Sequence, residues 1–176
     1  MRHEIMPRLL QGTRMRPRTS GFTLTELVIV ITIVAILSAM VVSAYQTYTA
    51  RAQVADALTL AAEAMTAVSA SFQATGVAPA NRQAAGMPTA ATDTPGRFAL
   101  DIAVRDGRLD IVFGKDSHLA IFGEHLSITP YLTGDGAIAW RCGLAPVPPG
   151  AELLPEGANH SAPSVELRYL PAACRP

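Results

Sequence analysis

Between Glu26 and Arg51 the chain carries no charged side chain, and from Leu27 to Val42 it reads LVIVITIVAILSAMVV, interrupted only by Thr32 and Ser38. A helix from Phe22 to Ala44 would extend roughly 34 Å at 1.5 Å per residue, long enough to cross a bilayer. A segment apolar on every side needs lipid or neighbouring helices around it. At its front edge, five residues after Gly21, stands Glu26. A carboxylate in that position is costly, which marks it as functional and calls for a cationic partner.

Charge sets the orientation. Five of the 14 Lys/Arg (Arg2, Arg8, Arg14, Arg16 and Arg18) lie before Phe22, against Glu4 alone of the 14 Asp/Glu. Nine basic and thirteen acidic residues remain after it, so a neutral chain has a basic head start and a mildly acidic remainder. A basic flank on the N-terminal side predicts an N-in, C-out orientation and an exported C-terminal domain. A length of 176 residues suits one membrane-length segment and one soluble domain.

The helical pattern continues past the apolar run. Tyr45 and Tyr48 suit a lipid–water interface. Val54, Leu58, Ala61, Met65, Val68 and Phe72 then recur at spacings that mark one helical stripe, with Arg51, Gln53, Asp56, Glu63, Thr66 and Gln73 mostly off it. Gly76 and Pro79 end the pattern. The reading is one helix over 22–75, its first half (22–44) apolar all round and its second half apolar on one side. Residues 76–97, rich in Ala, Pro, Thr and Gly, read as a connecting loop. From Phe98 the period becomes two. Phe98–Val104 and Leu109–Phe113 flank Asp106-Gly107, a hairpin signal. His125–Leu132, with Pro130 expected to limit its ladder or place it at an edge, and Ala137–Cys142 complete four strands in meander order over 98–142. The fold class is α+β, with the sheet covering the helix stripe. Val165–Tyr169 would add one short strand.

The residues at both ends resemble the type IV pilins. Ser20-Gly21-Phe22-Thr23-Leu24-Thr25-Glu26-Leu27 matches the family's processing signature, in which a short basic leader ends in Gly before an apolar helix. An ordinary signal peptide is cut after its apolar region; here the junction precedes it, so the helix stays in the product. The resemblance implies a leader over 1–21, cleavage between Gly21 and Phe22 by a prepilin peptidase, and N-methylation of Phe22. Met15 offers a second start, nearer the family's short leaders. At the far end, Ile138-x-Trp140-x-Cys142 and Tyr169-Leu170-Pro171-Ala172-Ala173-Cys174-Arg175 resemble the closing pattern of the type IVa pilins, major subunits included. An exported domain favours pairing Cys142 with Cys174, which encloses a Pro-rich region over 142–174 in a head spanning 76–176.

The resemblance also implies a function: a homopolymer built through the helix and drawn by pilus assembly machinery from the inner membrane to the cell surface. Adhesion, twitching motility or DNA uptake would come from the fibre. Glu26 lies one helical turn after Phe22, and in a filament its carboxylate can meet the amine of a neighbouring Phe22. Two departures stand out: Ala35 and Ser43 occupy places where pilins often carry a helix-loosening glycine and proline, so a straighter core helix is expected. A minor or competence pilin and a type II secretion pseudopilin are the alternatives, the cysteine pair speaking against the last.

Catalysis finds no constellation. His118, His125 and His160 stand at no metal-ligand spacing, so no metal and no cofactor is expected, and no nucleophile-elbow or phosphate-loop pattern appears. DNA or host surfaces are conceivable partners. The basic residues Arg82, Arg97, Arg105, Arg108, Lys115, Arg141, Arg168 and Arg175 are dispersed and read first as solvated surface. Asn159-His160-Ser161 matches a glycosylation triplet of low specificity.

Overall fold

A computed structural model of the chain describes residues 21–93, 96–114 and 116–176. Of the leader expected over 1–21, residues 1–20, Met15 included, lie outside the described residues, as do Thr94, Pro95 and Lys115. Helix α1, Leu24–Thr75, passes without interruption through Ala35 and Ser43. The chain divides into two compact units between Met40 and Val41. In the first, every described residue is exposed to its surroundings, as expected for a segment apolar on all sides.

The second unit builds its core on one stripe of α1. The buried residues are Ala50, Val54, Ala57, Ala61, Ala64, Val68 and Phe72. Against the expected stripe this is a small rotation: Ala57 and Ala64 take the centre, while Leu58 and Met65 are half-buried and pack at its margins. Alanine at the centre allows close approach of the facing sheet, and the larger side chains then fill the flanks. Facing them are Ala99, Ile102, Val104, Leu109, Ile111, Phe113, Leu126 and Ile128, all buried.

The sheet is antiparallel, in the order β1 (Ala99–Arg105), β2 (Arg108–Phe113), β3 (His125–Leu132) and β4 (Ile138–Cys142), with the two-residue β5 (Glu152–Leu153) also pairing with β3. Asp106 and Gly107 both have positive φ, 46° and 80°, so the β1–β2 turn has the doubly left-handed form that Asp-Gly favours. A register shift between Ala99 and Asp101 explains why Ala99 and Ile102, three apart, both face the core. Pro130 is buried in a strand flanked on both sides, not at an edge. It is tolerated because the β2 ladder ends at Ile128 and the β5 ladder begins at Tyr131, so no strand pairs with it on that side. β5 escaped sequence reading because two residues carry no period.

The expected strand at Val165–Tyr169 is instead a 3₁₀ turn over Leu167–Tyr169. Its alternation came from a segment whose backbone bonds go elsewhere. The stretch 158–165 lies across the hairpin and β3 as a strap: Ala158 N–H donates to Asp106 O (2.9 Å) and Ser164 N–H to His125 O (3.0 Å). His125 N–H donates in turn to Ser164 Oγ at 2.8 Å. Within the strap, His160 Nε2 lies 2.7 Å from Gly143 O, and its Nδ1 lies 2.8 Å from the hydroxyl of fully buried Thr129. A carbonyl only accepts, so Nε2 carries the proton and Nδ1 accepts from Thr129: the neutral imidazole satisfies both bonds.

The Cys142–Cys174 disulfide is formed, with Cα atoms 4.6 Å apart. Leu144 N–H donates to Cys174 O at 2.9 Å, so the end of β4 and the C-terminal segment are also joined through backbone. Gly143 makes this approach possible: its φ is +53°, and a Cβ there would lie 3.1 Å from Cys174 O.

Two consequences can be measured. Cys142→Ser should lower stability by about 2–5 kcal/mol, read as a depressed melting temperature, because the Pro-rich closing region loses its covalent closure; an unchanged melting curve would contradict this. Burial, and then Arg141, holds the His160 imidazole below its ordinary pKa of 6.5. The unfolded chain therefore binds the proton first as pH falls through 6.5. Stability is complete above that pH and declines below it, toward the lower folded-state pKa. In melts between about pH 7.5 and 5.5, His160→Gln should flatten this slope; identical slopes would place the acid sensitivity elsewhere.

Candidate processing and assembly site

The N-terminal site is built from the first turn of α1. Thr23 stands ahead of the helix, and its Oγ1 accepts from Glu26 N–H at 3.3 Å while its carbonyl accepts from Leu27 N–H at 3.2 Å. Thr23 is thus the N-cap, a role that sequence reasoning missed although the Thr-x-x-Glu spacing signals it. The cap fixes where the helix begins and so places Glu26 in its first turn, where the partial positive charge of the helix start favours a carboxylate.

Each residue expected to take part in processing or assembly is accessible. Gly21 precedes the cap, and a Cβ placed there would meet nothing within 4 Å. Phe22 is 71% exposed. Glu26 is exposed, and among the described residues no Lys, Arg or His lies within ion-pair distance of it. Gly21, Phe22 and Glu26 therefore stand together on one short stretch, flanked by exposed aliphatic side chains from Leu24 to Val42. α1 is long and apolar enough to cross a membrane. At the other end of the chain, the cysteines join β4 to the 3₁₀ turn Ala172–Cys174.

The remaining candidates separate into structural roles. Arg82 is buried; its Nε donates to Pro88 O at 2.8 Å and one terminal nitrogen to Ile102 O at 2.5 Å, occupying the edge strand β1. Arg108 is bidentate to Asp110 (2.9 Å to each oxygen), and Arg105 approaches the same carboxylate at 3.4 Å. Arg97 pairs with Asp116 at 3.7 Å, and Arg141 Nε donates to Ala145 O at 2.7 Å. These partners divide the positive charge rather than gather it, and the nucleic-acid reading gains no continuous basic face from them. The backbone N–H of His118 donates to Gln53 Oε1 at 2.6 Å, which ties the loop before β3 to α1, and His160 closes the strap. Among the described residues no group of three His, Cys, Asp or Glu could hold a metal ion.

Comparison with known proteins agrees with this arrangement at both ends. Residues 50–175 match the family described as Pilin (bacterial filament), and residues 16–42 match the prokaryotic N-terminal methylation motif. A type IV major pilin protein PilE1 of Neisseria gonorrhoeae is 33% identical over 156 residues, covering 88% of this chain and 86% of the relative. A fimbrial protein of Neisseria meningitidis is 39% identical over 124 residues, 70% of this chain and 72% of its own. A fimbrial protein of Moraxella nonliquefaciens is 35% identical over 170 residues, 87% of this chain and 94% of its own. A capped, accessible helix start, an unbroken apolar helix and a disulfide-closed sheet thus coincide with sequence similarity over most of the chain: it belongs to the type IV pilin family.

Proposed function

We propose that this pilus structural subunit is cut between Gly21 and Phe22 by a prepilin peptidase and methylated on the new Phe22 amine. Before assembly it spans the inner membrane once, with the C-terminal head in the periplasm. The assembly machinery then transfers it into a homopolymer whose core is the N-terminal helices. The observation that carries this reading is the exposure of every large aliphatic side chain from Leu24 to Val42, between 43% and 80%. Such a surface is stable only in lipid or against copies of itself.

Within that apolar setting Glu26 gives direction. A subunit leaving the membrane carries a carboxylate and, four residues earlier, a cationic amine. In a low-dielectric surround an unpaired charge is costly and a well-placed pair relieves it. Docking with the Glu26 carboxylate of one copy against the Phe22 amine of the next satisfies both, and any other axial offset satisfies neither. The N-methylation motif and the pilin relatives support this order of events.

Glu26→Ala should leave cleavage and export in place while fibre yield falls at least about tenfold, since breaking a buried ion pair exceeds about 1.4 kcal/mol. Immunoblots of membranes and of sheared fibres measure the two quantities separately. Normal fibre yield from the variant would remove Glu26 from assembly.

A further inference from the structure

We propose that Arg51 and Arg175, with Arg168, form a binding site for the phosphate of an anionic lipid headgroup, occupied while the subunit is unassembled. The inference rests on the membrane-anchored reading of the subunit and adds a ligand to it.

The observation is a convergence of cations. One terminal nitrogen of Arg51 donates to Arg168 O at 2.8 Å, and one of Arg175 reaches the same oxygen at 3.3 Å. Arg51 comes from α1 and Arg175 from the last residues of the chain, so folding brings together two guanidinium groups distant in sequence. Arg168 adds a third, but Glu166 neutralises it at 2.5 Å. Among the described residues no Asp or Glu lies within 4.0 Å of Arg51 or Arg175. Two like charges therefore share one carbonyl, and the Glu166 carboxylate at the cleft is paired with Arg168 rather than with either of them. Arg51 Nε is also shielded from solvent with no hydrogen-bond partner. All three arginines line an open cleft of about 530 Å³ together with Glu166, Leu167 and Pro176.

Arg175 Nε also donates to Leu170 O at 2.8 Å, so the second terminal nitrogen of each guanidinium is the one left to meet a phosphate, whose oxygens can accept from both at once. The source of the phosphate is indicated by where Arg51 stands. It is the first charged residue after Glu26, six residues beyond Tyr45 and three beyond Tyr48, whose side chains are 68% and 71% exposed. Exposed aromatics after an apolar run sit at the lipid–water interface. Six residues place Arg51 about 9 Å further along the helix axis, at the level of lipid headgroups. There an anionic phosphate is held at high local concentration, and basic residues draw it. Leu167, 48% exposed at the cleft, offers an apolar surface to the glycerol end of such a lipid. Transfer into the fibre then requires the two arginines to give up this phosphate.

The test is an NMR titration of the full chain in maltoside micelles, following the arginine Nε–Hε signals. Dihexanoyl phosphatidylglycerol and inorganic phosphate are added in separate arms. Arg51 and Arg175 should shift together, with lipid saturating them at a concentration about tenfold lower than phosphate, while Arg97 stays unmoved. The double substitution Arg51→Gln, Arg175→Gln should weaken lipid binding at least about tenfold, the loss expected from one charge-assisted hydrogen bond. Trp140 fluorescence confirms that the variant is folded, and the wild-type titration needs no variant. Immobile signals in both arms overturn the site. Equal response to phosphate overturns lipid in favour of a soluble anion. Response to a short DNA duplex at lower concentration than lipid assigns the cleft to nucleic acid instead. Shifts on fibre formation alone assign it to carboxylates of a second copy. The fibre yield of Glu26→Ala judges the polymer reading independently, since a subunit can polymerise without this lipid or hold the lipid and never polymerise.

Discussion

Hydrophobic exclusion of the first half of α1 governs everything else in this protein. Among the described residues of the first unit, the aliphatic side chains from Leu24 to Met40 are all exposed. Every other feature manages that fact. Thr23 fixes where the helix starts; in the processing we propose, the basic leader orients the segment and the Gly21–Phe22 junction keeps it in the product. In the assembly we propose, Glu26 turns a nonspecific apolar attraction into one with an address, because grease alone packs at any axial offset whereas a buried carboxylate does not.

The second unit solves a different problem with the same helix. There α1 is apolar on one stripe, and alanines at its centre let the sheet come close. The small sheet is reinforced from outside its strands. Arg82 occupies the edge of β1, the 158–165 strap crosses β3, and the disulfide with Gly143 ties the C-terminal residues to β4. A head with a long Pro-rich tail could not be held by strand pairing alone, and these side-chain and covalent ties take its place.

Much of this was legible in the sequence because the signals are long or chemically unambiguous. The apolar run, the helical stripe, the Asp-Gly hairpin and the processing signature each involve several residues acting together. What stayed hidden depends on one or two residues responding to tertiary context. The stripe's rotation to Ala57 and Ala64 reflects sheet approach, which spacing does not encode. Val165–Tyr169 alternates like a strand, yet its backbone finds partners as a strap and a 3₁₀ turn. Pro130, expected to limit its ladder or mark an edge, limits the ladder: it sits between the β2 and β5 pairings inside the sheet. Arg82 read as one more surface arginine, although folding buries it, and Arg51 and Arg175 meet only because helix and C-terminus converge. At the functional end, Thr23 was readable in principle from its spacing to Glu26.

The central claim is that a membrane-length helix, freed at Phe22, becomes the core of a polymer. Intact-mass spectrometry of the subunit in sheared surface fibres tests it most directly. The expected species begins at Phe22, carries one methyl group on its amine and retains the Cys142–Cys174 bond. A subunit that keeps residues before Phe22, or that is absent from the fibres and remains in the membrane, would contradict it.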